Sequence, residues 1–262
     1  MSRFVSTFAL LGLLAGPAFA IDEVRVPLED PMKSGMWSYH QKHLLDDPEA
    51  IQFDDRVVLH APKVAEDTVN VPLLVDATAL DQKVVKMVIS ADYGPIPHIM
   101  TYYPDTAAPK ISLRFKVDQG TAIRASVQTE DGVWHVGSTY IDAAGGGCSA
   151  PAVAYANADW YDRLGEMHGR IFAGSDRARM IVDHPMDTGL AGDIPVFIIE
   201  GLALTDDAGT QVAHMDLYEP VNEDPAFTFY FEDDATPNVL HVAGRDNNGN
   251  RIKGTLTTSE TH

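Results

Sequence analysis

The stretch Lys110-Ile111-Ser112-Leu113-Arg114-Phe115-Lys116-Val117-Asp118 carries an apolar side chain at every second position. A period of two is what a strand shows when one face meets a core and the other meets water. Ile123, Ala125 and Val127 repeat the pattern against Arg124, Ser126 and Gln128, so a second half-buried strand is expected. Glu130-Asp131-Gly132 then supplies turn chemistry before a strand from Val133 to near Ile141, which predicts a hairpin. Upstream, Val71 to Val75 and Val84 to Ile89 are β-branched runs suited to buried strands.

The same signals return downstream. Val196 to Ile199 is a compact apolar run, and Phe227, Phe229 and Phe231 alternate with Thr228, Tyr230 and Glu232. Asp206-Asp207-Ala208-Gly209 and Asp246-Asn247-Asn248-Gly249 mark turns, the second with an Asn-Gly pair fit for a tight hairpin. Many short strands without long amphipathic helices predict an all-β protein of two antiparallel β-sandwich domains. Residues 56–148 form the first and residues 177–262 the second. Residues 149–176 break the rhythm and read as an irregular linker, with a helical turn over Asp159 to Leu164.

Ahead of the first sandwich, residues 21–55 read as irregular with one short helix. After Pro31, the residues Met36, Trp37, His40 and Leu44 share a helical face. Residues 1–20 have the form of a secretory signal peptide: Arg3, an apolar run from Phe4 to Leu14, and Ala18-Phe19-Ala20 as a cleavage site. The run is too short to span a bilayer, so the expectation is an exported protein starting at Ile21 with no membrane anchor. A net charge of -19, from 38 acidic against 19 basic residues, excludes nucleic acid and anionic membrane surfaces as partners. Acidic clusters at Asp46-Asp47 and Glu232-Asp233-Asp234 read as solvated surface.

The chemistry converges on one residue. Cys148 is the single cysteine, and it follows Gly145, Gly146 and Gly147 directly. A glycine run samples both signs of φ and has nothing to pack, so it reads as a flexible arm reaching roughly 20 Å from Ile141 when extended. A lone cysteine in an exported protein has no internal disulfide partner. It stays free, pairs with another molecule or carries something. No Lys, Arg or His lies between Asp142 and Ala156, so the local sequence offers no cation to stabilise a thiolate. This favours a thiol acted on by other proteins, and no catalytic residue is assigned.

Other site chemistry is absent from the sequence. No Cys-x-x-Cys, phosphate loop, dinucleotide fingerprint or His-Glu-x-x-His occurs, and one cysteine rules out haem c attachment and iron-sulfur ligation. His40 and His43 lack a third ligand at a helical step. His184-Pro185-Met186 with Cys148 offers some blue-copper atoms, but a glycine tether cannot impose that geometry. No metal and no cofactor is expected.

With both halves in view, the chain resembles the sulfur-oxidation carrier proteins SoxY and SoxZ fused in one polypeptide. The SoxY resemblance lies in Glu66-Asp67-Thr68-Val69-Asn70-Val71-Pro72 and in Gly146-Gly147-Cys148, where that family carries a swinging-arm cysteine. The SoxZ resemblance lies in His184-Pro185-Met186-Asp187-Thr188-Gly189-Leu190, Ile194 to Ile199, Asn222-Glu223-Asp224-Pro225 and Asp246 to Gly249. It implies two immunoglobulin-like sandwiches in contact, in the periplasm, with Cys148 holding sulfur intermediates as thioconjugates for partner sulfur-oxidation enzymes. One departure is that Ser149-Ala150-Pro151 follows the cysteine where SoxY ends in two glycines, so this arm is tied at both ends. Fused carriers of this kind look like those associated with periplasmic quinoprotein dehydrogenases, which implies a different cargo. The alternative is a non-covalent adaptor for such a PQQ-dependent dehydrogenase or a cytochrome; a cysteine-dependent transferase or peroxidase is a further alternative.

Overall fold

The computed structural model describes residues 29–232 and 235–258. The signal peptide and its cleavage site lie outside the described residues, as do Asp233 and Asp234 of the second acidic cluster. The first half supplies helix α1 (Trp37–His43) and strands β1 (Ile51–Phe53), β2 (Val58–His60), β3 (Val64–Ala65), β4 (Val71–Asp76), β5 (Val84–Ala91), β6 (His98–Tyr103), β7 (Lys110–Phe115), β8 (Thr121–Thr129) and β9 (Trp134–Ala143). The second supplies β10 (Met167–Phe172), β11 (Arg177–Val182), β12 (Ile199–Thr205), β13 (Gln211–Leu217), β14 (Ala226–Tyr230), β15 (Val239–Asp246) and β16 (Arg251–Thr257).

The expected alternation forms the strands it should. In β7, Ile111, Leu113 and Phe115 are buried while Ser112 and Arg114 are half-buried. The β8–β9 hairpin closes through Gly132, whose amide donates to Thr129 O at 2.9 Å and whose φ is +85°. Phe227, Phe229 and Phe231 all point into the core. The turns at Asp206 and Asp246 link β12 to β13 and β15 to β16.

Each half contributes strands to both of two sheets, as sandwiches do, and the halves join edge to edge. The ten-stranded sheet runs β1-β9-β8-β5-β6-β13-β12-β15-β16, with β3 also on β9. The six-stranded sheet runs β10-β11-β14-β7-β4-β2. The seams are β6 to β13, through pairs such as Tyr102 with Met215, and β7 to β14, through Ile111 with Phe229. Rings close the first seam: Tyr103 stacks on His214 at 4.1 Å and His98 on Tyr218 at 3.8 Å. One continuous core runs through both halves, including Phe115, Tyr102, Phe229 and Leu204.

Three expectations are corrected. The stretch read as linker contains β10, whose exposed His168-Gly169-Arg170 hides the strand period. Gly169 is needed there because a Cβ would meet Arg179 O at 2.2 Å. The irregular segment before residue 56 contains β1, laid parallel on β9. Strand β8 is buried on both faces, with Arg124 and Ser126 inside. The N-terminal segment covers the second face: Arg124 pairs with Asp92 and Asp30 at 2.7 Å each and lies over the Trp37 ring. A buried guanidinium is tolerable only with such partners. The short helix forms as expected, with Trp37 and His40 buried.

Candidate functional site

The loop after β9 brings Gly145 to Cys148 back against the end of β7. Gly145 and Gly146 adopt φ of +107° and +84°, left-handed values that favour glycine. The Gly146 and Gly147 amides then donate to Asp118 O and Val117 O, each at 3.2 Å. Gly147 is squeezed between two backbone segments: a Cβ would lie 2.2 Å from Thr68 O and 2.4 Å from Val117 O. The three glycines thus build a docked loop in this conformation, where the sequence reading had an extended arm. Turn geometry and close approach demand glycine here as much as freedom does.

Docking buries the thiol. Cys148 is 3% exposed, and its Sγ lies 4.0 Å from Lys116 O. Burial, with the Asp118 carboxylate adding, pushes the thiol up to about 11; Lys116 opposes the shift. The Thr188 hydroxyl donates to Cys148 O, fixing the loop to the second half. Thr188 and its neighbours come from the segment that carries the His-Pro-Met-Asp-Thr-Gly-Leu motif. Within it, Met186 is fully buried with φ of +48°, its amide donating to His184 Nδ1 at 3.0 Å. Its sulfur accepts from Ile199 N at 3.2 Å.

Sequence reasoning missed Lys116. The alternation of β7 assigns it to solvent, yet it is buried, with Nζ donating to Met186 O. Burial lowers its pKa, against the pull of Asp187, Cys148 and Glu223. Lys116 therefore acts electrostatically on the thiol from 32 residues away in sequence, and its backbone carbonyl lies against the sulfur. Local windows cannot show it.

Beyond the cysteine the chain does not hang free. Ala152 N donates to Asp187 Oδ1 at 3.2 Å, the Tyr155 hydroxyl donates to Asp187 Oδ2, and Val153 N and Ala154 N donate to the two oxygens of Glu223 at 2.7 and 2.5 Å. Burial raises the Glu223 pKa against these donors. The anchored strap continues through the expected helical turn, Trp160–Arg163, where Trp160 meets Tyr155 edge-on at 4.9 Å. Under it lies a cleft of about 560 Å³ lined by Asn70, Arg114, Val153, Trp160, His184 and Asn222 among others. The strap leaves Val153 and Tyr161 at 70% and 63% exposure.

The histidines singled out in the sequence are engaged elsewhere. His40 Nδ1 bonds Ser90 Oγ at 2.9 Å and its ring faces Asp92, while His43 packs on Tyr39. His184 and Met186 belong to the segment whose Thr188 holds Cys148 O, but His184 Nδ1 and Met186 Sδ already accept backbone amides. Among the described residues, Glu166, His168 and Asp183 bring three potential ligand atoms within 4.8 Å, and the Arg163 guanidinium already bonds Asp183.

Residues 41–148 match the family model described as sulfur oxidation protein SoxY, and residues 173–257 match that of sulphur oxidation protein SoxZ. The chain joins a SoxY-like half to a SoxZ-like half. The SoxY match ends on Cys148, and the SoxZ match contains the loop that receives it. Among solved structures, the sulfur carrier protein SoxY from Chlorobium limicola f thiosulfatophilum is similar at 18% identity. That match covers 40% of this chain and 96% of the other, with a TM-score of 0.36. No curated protein sequence matches the chain. The SoxY-like and SoxZ-like halves meet at both sheet seams and again at the Cys148 loop.

Proposed function

We propose that this protein is a periplasmic, non-enzymatic carrier that holds a sulfur intermediate covalently on Cys148 and presents it to partner sulfur-oxidation enzymes. The observation that carries this reading is the placement of the single thiol: it ends the SoxY-like segment, behind three glycines, on a loop held by few bonds. Release breaks the hydrogen bonds donated by the Gly146 and Gly147 amides and the Thr188 hydrogen bond to Cys148 O. At about 0.5–1.5 kcal/mol each, the three bonds put the cost of local opening at roughly 1.5–4.5 kcal/mol. The strap anchors at Ala152, so the opened segment is a loop and its tip reaches roughly 15 Å, half the contour of the residues after Ala143. Resting burial keeps the thiol protonated; opening makes it available. The cargo is loaded and removed by other proteins, among them a quinoprotein dehydrogenase system.

Intact-mass measurement of protein purified without reductant tests this. Adducts removed by dithiothreitol and absent from Cys148→Ser are expected; an unmodified thiol during growth on reduced sulfur compounds would refute the reading. The burial of Cys148 favours one second reading, a non-covalent adaptor for a periplasmic quinoprotein dehydrogenase or cytochrome. On that reading Cys148→Ala leaves partner binding and physiological function unchanged.

A further inference from the structure

Where β10 begins, three side chains of metal-binding type share the outer face of the six-stranded sheet. Glu166 and His168 are two residues apart, so both project outward, while Met167 between them packs on the core. Asp183 stands across the ladder: its amide donates to Glu166 O at 2.9 Å and its carbonyl accepts from Gly165 N at 2.8 Å. Two residues thus face one, as in a β-bulge, and Gly165 takes the left-handed φ of +78° that the bend requires. The arrangement brings a carboxylate oxygen from Glu166, another from Asp183 and a ring nitrogen of His168 within 4.8 Å of one another. Among the described residues, the Glu166 carboxylate has no hydrogen bond or ion pair, and His168 Nε2 faces Asp183 Oδ2 at 3.7 Å. Asp183 is 8% exposed and is bonded by the Arg163 guanidinium. Asp224 adds a third carboxylate near enough to act on Asp183. Arg170, the next outward residue of β10, lies over the Phe172 ring at 4.2 Å, away from the cluster. Three carboxylates therefore share one guanidinium, whose side chain is 52% exposed at the end of a one-turn helix. Like charges set opposite one another on a ladder repel, so the cluster has room for a second cation.

We propose that Glu166, His168 and Asp183 form a binding site for one divalent transition-metal ion, with zinc the ion this donor set fits best. Magnesium and calcium take oxygen ligands, whereas an imidazole with two carboxylates suits zinc. Ligand atoms around a tetrahedral zinc lie about 3.4 Å apart, so the three must close by about 1.4 Å at most from their present 4.8 Å. Glu166 and His168 are exposed, and their side chains can make that movement. Three protein ligands at an exposed position leave the fourth to water. Arg163 and the metal compete for Asp183, so the ion enters by displacing a half-exposed guanidinium.

Zinc affinity is measured on the full-length, tag-free chain by competition with a fluorescent zinc chelator, in a Cys148→Ser background that removes thiolate ligation. One zinc per chain is expected. His168→Ala, a change at an exposed side chain, should weaken binding by at least about tenfold, the loss typical even of a residue that only supports a ligand. Asp183→Asn should do the same. Arg163→Gln should strengthen binding by about tenfold, because it removes the cation that competes for Asp183. Arg179→Gln is the control for net charge: it lies four residues from Asp183 along the outer face, about 13 Å away and beyond the screening length, and should change affinity by less than about twofold. Without any variant, one equivalent of zinc should shift the His168 ring resonances in NMR and leave those of His40 and His184 in place. Cobalt added to the unmutated protein should give visible bands of nitrogen and oxygen ligation. Any of four results would overturn the proposal: no zinc bound, equal affinity in His168→Ala, equal effects of Arg163→Gln and Arg179→Gln, or a thiolate-to-cobalt band placing the ion on Cys148. Should Asp183→Asn fail to fold, the variants at His168, Arg163 and Arg179 still decide.

Discussion

Gly147→Ala should free the thiol. The new Cβ would stand 2.2 Å from Thr68 O and 2.4 Å from Val117 O, both backbone atoms that cannot turn away. The docked loop must therefore lift, losing the Gly147 amide bond to Val117 O and the burial of Cys148. Undocking lets the thiol pKa fall from about 11 toward its ordinary value of 9.0. At pH 7.5 that two-unit fall raises the thiolate fraction about 100-fold. Each thiolate becomes less nucleophilic by about eightfold, taking a Brønsted slope of 0.4–0.5, so ionisation alone leaves a net gain of about tenfold. Relief of steric exclusion adds to it. The assay is pseudo-first-order reaction with 4,4′-dithiodipyridine, with thermal melting as a check that the rest of the chain is intact. A rate within twofold of the unmutated protein, in a folded variant, would refute the claim that Gly147 is what lets the loop dock.

Other consequences follow from the same geometry. Glu223→Ala removes the acceptor of two strap amides, so hydrogen exchange at Val153 and Ala154 should quicken by roughly 10–100-fold, with little change in the β8 amides. Burial holds His40, His98 and His184 at about 4, below their ordinary 6.5, so the unfolded chain binds more protons between those values and stability falls as pH falls below 6.5. By pH 5.0 each histidine has removed about 2 kcal/mol, offset in part by the raised Glu223 and Asp224, and urea midpoints at pH 7.5 and 5.0 measure the net loss. Because both sheets and the core cross the halves, urea unfolding should be a single transition by tryptophan fluorescence and by circular dichroism; two separated transitions would show that the seams do not couple the halves.

Much of the architecture was legible because a strand's side-chain period is a local property. Ile111 to Phe115, the hairpin at Gly132 and the Phe227 to Phe231 alternation need only their own neighbours, and each formed where the pattern put it. Strand β10 was not legible, since its exposed face and Gly169 respond to β11 and β16 rather than to a period of their own. The site was half legible: a lone thiol behind glycines can be read in a window of a few residues, and its likeness to the SoxY cysteine with it.

What the chain order alone determined was therefore the set of strands, their turns and the single sulfur on which any thiol chemistry must rest. Tertiary structure decided which faces are covered. Alternation distinguishes two sides of a strand but does not say whether something lies on the second, and so Arg124 and Lys116, both assigned to water by their phase, are interior. It also decided that Lys116, Cys148 and Met186 meet, because contacts between residues tens of positions apart depend on how the sheets join. The resting burial of the thiol comes from that meeting, as backbone just after β7 and the Met186 loop close around a cysteine that its own neighbours leave exposed.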